Sequence, residues 1–256
     1  MRDAAGRGER DQVPGAGATR PDPASGRAGA EHAVLLLRPA LRAQGLSLGL
    51  VRVDDPWARP AGPGEWAAAA AMPLPRRRDF LAGRCAARRA LAEAGHSAGE
   101  LPRSGRRPLF PAGFEGSISH SGGLAVALAA PGARFHALGC DLELRGLPLN
   151  SAHLVLGPDE RAGLDPAAAD AESRLLAVFS AKEAAFKAFS TLLGSEAPAT
   201  LLGMATSPVP GGFRTWPRGL PRQVIDVRVR PAGPGVFSWA VAPVARRPDH
   251  RATPWR

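Results

Sequence analysis

The sequence predicts an α+β fold of two lobes, and three observations carry that prediction. Strand-like and helix-like stretches recur in the same order on either side of Leu138, each half holds one long helical pattern (residues 79–94 and 170–193), and two alternating segments, 224–230 and 236–241, look like a terminal strand pair. At 256 residues the chain can bury one core spread over two lobes or two small domains. The patterns divide it into an N-terminal extension (1–32), a first lobe (33–138), a second lobe (139–245) and a basic tail (246–256). No sequence repeat is visible between the halves.

Taken in order, residues 1–32 are rich in Gly, Pro, Ala and charge without periodicity, which reads as disorder. Residues 33–37 and 48–53 read as strands, separated by a connection containing Pro39 and Gly45. A short helix over 65–71 ends before Pro73 and Pro75. The arginine-rich helix over 79–94 stops at Gly95, as a C-terminal cap glycine would stop it. A Gly/Ser stretch over 113–123 leads into the apolar run 124–129, a buried strand or a short helix. Residues 137–144 alternate as a strand, 157–164 form a short helix, and the long helix over 170–193 closes at Gly194.

Charge and cysteine content narrow the classes. The formal charge is +10, but residues 33–138 carry 14 basic against 7 acidic side chains whereas residues 139–245 are balanced. A positive field on one helix, from Arg76, Arg77, Arg78, Arg84, Arg88 and Arg89, is also what a solvated helix face would give. A nucleic-acid binder should interleave aromatics with that charge, and the chain has no tyrosine and only Phe80 nearby. No run approaches the roughly 20 apolar residues needed to cross a bilayer, and no signal-peptide core opens the chain, so a cytoplasmic location without membrane or nucleic-acid partners is expected. Cys85 and Cys140 have no C-x-x-C spacing and read as reduced, buried and structural.

Three segments carry the chemistry. In FSAKEAAFK, residues 179–187, Lys182 falls near the middle of a helical apolar stripe while Glu183 and Lys187 line its edge one turn apart. The plain alternative is an exposed Glu–Lys pair. In LGCDLE, residues 138–143, Asp141 and Glu143 share one face of a strand, where their mutual repulsion is relieved either by water on an exposed edge or by a hard divalent cation such as Mg²⁺. In GSISHSGG, residues 116–123, small and hydroxyl residues let an anion or a purine approach the backbone, and His120 alone is as readily a hydrogen-bonded structural residue.

Together with FLAGRCAARRAL at 80–91 and RRPLF at 106–110, these segments resemble, in order and interval, the 4'-phosphopantetheinyl transferases of the surfactin-synthetase type, in the branch similar to enterobactin synthase component D. The resemblance spans residues 74–193. It implies two similar lobes related by a pseudo-twofold, each a small sheet packed with helices, with coenzyme A in the cleft between them. It implies Asp141, Glu143 and Glu183 as Mg²⁺ ligands, Lys182 and Lys187 beside the coenzyme A diphosphate, Ser119 and His120 at the adenine and 3'-phosphate, and Arg84, Arg88 and Arg107 at the nucleotide pocket. The implied reaction transfers the phosphopantetheine arm to a serine of an apo carrier protein with an acidic surface, by a monomer whose base is Glu183, Lys187 or a metal-bound water. A Mg²⁺-dependent phosphohydrolase and a non-catalytic coenzyme A or carrier-binding module are the alternatives. Two departures stand out, Phe179 where the family often has Trp and Cys140 where it usually has Ile or Val, and neither alters the carboxylate spacing.

Overall fold

Two antiparallel sheets face each other across one core, and each carries a long helix on its outer side. This is the arrangement in the computed structural model, which describes residues 23–105 and 107–244. The chain opens with α1 (Pro23–Leu36) and α2 (Arg38–Ala43), then β1 (Ser47–Arg52), α3 (Pro63–Ala70) and α4 (Leu74–Glu93). A two-residue ribbon, β2 (Arg103–Ser104) with β3 (Arg107–Pro108), precedes β4 (Phe114–Ser121) and β5 (Leu124–Pro131). The second lobe follows with β6 (Phe135–Glu143), α5 (Ala152–Val155), α6 (Pro158–Ala162), α7 (Ala171–Leu192), β7 (Met204–Val209), β8 (Gly212–Pro217), β9 (Ile225–Ala232) and β10 (Gly235–Pro243). The sheets run β1-β5-β4 and β6-β10-β9-β8-β7.

Alternation along the central strands explains the layers. Leu124, Val126 and Leu128 of β5 meet Leu138, Cys140 and Leu142 of β6 in the shared core, with Leu48 and Leu50 of β1 and Phe237 and Trp239 of β10. The opposite face of β5 is Ala125, Ala127 and Ala129, small enough to admit α4 through Ala82, Ala86 and Ala90. The outer face of β6 and β10 is likewise filled by Ala184, Ala185 and Ala188 of α7. Residues 124–129 are therefore strand, the first of the two readings above, and the strand and long-helix assignments of the second lobe hold to within a few residues.

The N-terminal expectations change. Residues 23–36 are helix, so neither disorder to residue 32 nor a strand at 33–37 describes them, and residues 1–22 and the tail from 245 lie outside the described residues. Ala30 and Val34, four apart, are fully buried while Leu36 is 66% exposed, which is burial on one helical face rather than strand alternation. The continuous apolar run 33–37 conceals that period. Helix α4 also begins earlier than residue 79, because Pro75 occupies a first-turn position that needs no N–H donor. Arg77 turns back to cap α3, its guanidinium donating to Ala69 O, Ala70 O and Met72 O.

One contact occurs in both lobes. A Cβ on Gly49 of β1 would lie 1.9 Å from Ala86 O of α4, and a Cβ on Gly139 of β6 would lie 1.9 Å from Ala184 O of α7. In each lobe the helix backbone thus rests directly on the strand. Gly139→Ala meets main chain that no rotamer change can move, so it is expected to cost about 3 kcal/mol, the top of the usual overpacking range. Urea unfolding of the variant measures this, and a change below about 1 kcal/mol would refute the close approach.

Candidate active site

The site lies where the edges of the two sheets meet. Strands β4 and β6 belong to different sheets, and hydroxyls bridge them in place of a backbone ladder. The amide of Cys140 donates to Ser117 Oγ at 2.9 Å and that of Leu144 to Ser121 Oγ at 3.0 Å. Ser119 Oγ donates to Asp141 Oδ1 at 2.9 Å, and Ser121 Oγ to Glu143 Oε1 at 2.6 Å. Every second residue of β4 therefore faces β6, matching the two-residue spacing of the acids.

Helix α7 delivers the cation. Lys187 Nζ donates to Asp141 Oδ1 at 2.9 Å, to Cys140 O at 2.8 Å and to Ser119 Oγ at 3.3 Å. Burial alone would lower this ammonium, but the carboxylates of Asp141 and Glu183 hold it above its usual value, so it is charged at neutral pH. Glu183, one turn earlier, is raised, first by burial and then by the like charges of Asp141 and Glu143, with Lys187 opposing. Burial pushes the Cys140 thiol up to about 11, which makes it inert packing as expected, whereas Cys85 is only half-buried, because it lies at the edge of α4 facing Trp57 O. Asp141 Oδ2 is enclosed without a hydrogen-bond partner. Among the described residues no three His, Cys, Asp or Glu side chains are gathered closely enough to hold a metal ion. The donor set nonetheless suits a hard cation: oxygens only, one of them buried and unpartnered, beside a carboxyl that its neighbours resist ionising.

Two clefts continue from the acids. A 260 Å³ cleft is lined by Glu183, Phe186 and Lys187 on one side and by Arg107, Pro108 and Ile118 on the other. Pro108 and Ile118 are shared with a second cleft of 430 Å³, which Arg76, Arg84 and Arg103 line with positive charge, beside His120 and the single carboxylate of Asp79. Arg84 is 4% exposed, its Nε has no partner, and its guanidinium lies 4.8 Å from the Phe80 ring centroid. Its pKa is lowered by burial and by the like charges of Arg103 and Arg88, partly offset by Glu65. Unneutralised guanidinium beside guanidinium makes an anion site. A larger cavity, 810 Å³, is walled by the start of α1, the glycine turns at 122–123 and 233, and Leu144 with Arg145, and none of these acids or lysines lines it.

Of the residues singled out by sequence, Asp141 and Lys187 pair directly, Glu183 feels the charges of both and of Glu143, Arg84 and His120 line the second cleft, and Arg107 donates to Ser190 O across the first. Three do not fit their expected roles. Lys182 is wholly buried on another side of α7, where Nζ donates to Glu160 Oε2 at 2.7 Å, Val155 O at 2.8 Å and Met204 O at 3.0 Å. Its ammonium is fully enclosed, whereas that of Lys187 is part-exposed at the cleft, so Lys182 cannot also reach a diphosphate. Glu160 is held below the usual carboxylate range: burial opposes this, and the bonds from Lys182, the Gly157 amide and Thr206 outweigh it. Nη1 of Arg88 donates to both oxygens of the buried Glu65, at 2.8 and 2.9 Å, and Nη2 donates to Arg59 O. Ser119 and His120 project from opposite faces of β4, so they do not form one nucleotide contact; Ser119 serves the acids instead. Arg103, Ser117 and Ser121 were missed. The hydroxyl spacing in GSISHS, equal to the acid spacing in DLE, is the signal that points to the serines.

Both reassigned cations yield the same expectation. Lys182→Met should destabilise by about 3 kcal/mol because it leaves the Glu160 charge with only the part-exposed Arg218, at 3.2 Å, as cationic partner, and Lys182→Met with Glu160→Gln should recover part of that loss. Thermal melting of the two variants decides between this role and a ligand contact, since a diphosphate contact would leave the melting point of the single variant near that of the parent.

The family model of the 4'-phosphopantetheinyl transferase N-terminal domain matches residues 65–130, and that of the 4'-phosphopantetheinyl transferase superfamily matches residues 137–212. The chain is 38% identical over 117 residues to the 4'-phosphopantetheinyl transferase Npt of Nocardia iowensis, covering 44% of this chain and 52% of that protein. It is 39% identical over 157 residues to the 4'-phosphopantetheinyl transferase Svp of Streptomyces mobaraensis, covering 58% and 63%. It is 37% identical over 120 residues to enterobactin synthase component D of Salmonella typhi, covering 45% and 49%. The matches thus span from about half to under two thirds of these relatives' lengths. The two family models meet at the turn between the sheets and between them take in β4, β6 and α7, the elements that build the site, and the chain belongs to the 4'-phosphopantetheinyl transferase superfamily.

Proposed function

We propose that this chain transfers the 4'-phosphopantetheine arm of coenzyme A to a serine of an apo carrier protein and releases adenosine 3',5'-bisphosphate. The observation that carries the reading is the cleft pair: an arginine-lined pocket meets, at Pro108 and Ile118, a second pocket that ends on Glu183 and Lys187. A nucleotide phosphate suits the first end and a diphosphate the second. Asp141 and Glu143, the two acids on one strand face, would hold Mg²⁺ with Glu183 close by, and the ion would neutralise charge on the diphosphate oxygens. Lys187, charged and fixed by its three acceptors, neutralises charge on the leaving group rather than taking a proton. Glu183, raised by burial, is the better base for the serine hydroxyl. All these groups come from one chain, so the enzyme acts as a monomer, in the cytoplasm, on carriers with an acidic surface, and its relatives' names suggest siderophore or other secondary-metabolite carriers.

The decisive experiment incubates the protein with coenzyme A, Mg²⁺ and a panel of apo carriers and reads carrier mass. Modified carrier together with adenosine 3',5'-bisphosphate supports the reading. Free phosphopantetheine formed without a carrier would identify a phosphohydrolase, and bound coenzyme A without turnover a binding module.

Two predictions separate the roles. Because the Glu183 pKa is raised in the metal-free protein, transfer at subsaturating Mg²⁺ should increase with pH as that carboxyl loses its proton, in a limb lying above the ordinary glutamate range. Glu183→Gln should abolish the limb, while Lys187→Arg should keep it with partial kcat and Lys187→Met should lower kcat by about two to three orders of magnitude. A limb that persists in Glu183→Gln and vanishes in Lys187→Arg would make the lysine the base.

Arg103 is exposed, so its removal tests the anion pocket without disturbing the core. Arg103→Ala and His120→Ala should raise KM for coenzyme A about tenfold with kcat little changed, and should weaken the preference for coenzyme A over dephospho-coenzyme A. An unchanged preference in both would put the 3'-phosphate elsewhere.

A further inference from the structure

The β4 hydroxyls do more than join two sheets. We propose that Ser121, in parallel with Ser119, is a positioning residue for the acids: the first lobe ties one oxygen of each β6 carboxylate and leaves the other for a divalent cation. This rests on the cation reading above.

The hydrogen-bond bookkeeping fixes the direction of each bond. The Leu144 amide donates to Ser121 Oγ at 3.0 Å, so the single hydroxyl proton of Ser121 goes to Glu143 Oε1 at 2.6 Å. Glu143 Oε1 also accepts the Arg145 amide at 2.9 Å. Asp141 Oδ1 is tied in the same way, by Ser119 Oγ and Lys187 Nζ, each at 2.9 Å. Among the described residues no donor reaches Glu143 Oε2, and Asp141 Oδ2 is buried with no hydrogen-bond partner. One oxygen of each acid is thus doubly bonded and the other bare, the division expected where an outer hydroxyl orients a carboxylate ligand. An amide–hydroxyl–carboxylate chain also polarises along its length and holds the carboxylate in one rotamer.

Ser117 supplies an internal comparison. It stands on the same face of β4 and accepts the Cys140 amide, but no carboxylate lies opposite it. A hydroxyl that only seals the seam should behave like Ser117; one that positions an acid should not.

The test titrates Mn²⁺ into the full chain in the presence of coenzyme A and reads free Mn²⁺ by electron paramagnetic resonance, alongside melting curves. Ser121→Ala should weaken Mn²⁺ binding about 10–100-fold, Ser121→Thr should stay within a few-fold of the parent, and Ser117→Ala should melt lower with Mn²⁺ binding unchanged. If Ser121→Ala does not fold, Ser121→Cys, which keeps the size with only a weak donor, takes its place. Mn²⁺ affinity in the Ser121 variant within twofold of the parent, or an equal loss in Ser117→Ala, overturns the positioning role and leaves the hydroxyls as a seam. A parent protein that binds no Mn²⁺ overturns the cation reading itself, and the proposal with it.

Discussion

The contact of α7 with Gly139 is the constraint on which the site depends. Without a side chain there, the backbone of Ala184 and Ala188 lies against β6, and Lys187, in the same turn, is brought low enough for Nζ to reach Cys140 O, the carbonyl of the next residue. Raise the helix by one methyl group and the ammonium leaves the strand. The first lobe repeats the geometry: Gly49 lies under Ala86 and Ala90, and Arg89, in the same turn of α4, donates to Leu50 O, again the carbonyl of the residue after the glycine. The residue after that differs. It is Asp141 in the second lobe and Val51 in the first, so one copy became an acidic site, while in the other Arg89 finds Asp55 and ties down a loop. The pseudo-twofold expected from resemblance is thus visible in atoms although no repeat is visible in sequence.

That comparison explains how the chain divides its cations between structure and chemistry. Its two lysines stand five residues apart on α7, about 140° around the helix, so they cannot share a face. Lys182 falls in the apolar stripe, and a buried ammonium there is tolerable only with every N–H satisfied, which the carboxylate of Glu160 and two carbonyls do. Lys187 falls at the edge, remains 28% exposed, and meets an acid that still has a bare oxygen. Arg88 and Arg84 divide in the same way on α4. Arg88 is consumed by Glu65, whereas Arg84 keeps an unpartnered Nε beside a like charge.

What could be read from sequence follows from period. Alternation in LGCDLE and helical spacing in FSAKEAAFK give faces directly, so the acids, Glu183 and Lys187 were legible before any coordinates. Which partner lies across from a face was not. Lys182 and Arg88 look like ligands because their neutralising carboxylates, Glu160 and Glu65, are 22 and 23 residues away in sequence. Adjacent Ser119 and His120 look like one contact because a motif is read as a string, whereas a strand sends them to opposite sides. In α1, Ala and Gly hide the amphipathic period, since Ala30 and Val34 bury little surface each and the helix is stabilised by tertiary contacts with both lobes.

Strand β4 finally accounts for why the two ends of the cleft sit at a fixed separation. Its serine face holds the acids of β6, and its other face, through Ile118 and His120, forms the wall of the arginine pocket. Neighbouring residues on one rigid strand therefore address both the acids and the arginine pocket. Gly83 of α4, where a Cβ would lie 2.8 Å from Ile118 Cγ2, presses the arginine helix against that same strand. The relative position of guanidinium groups and carboxylates is then set by packed backbone rather than by flexible side chains. That is the preorganisation phosphoryl transfer requires, because such a reaction depends on positioning and charge neutralisation more than on covalent participation of the protein.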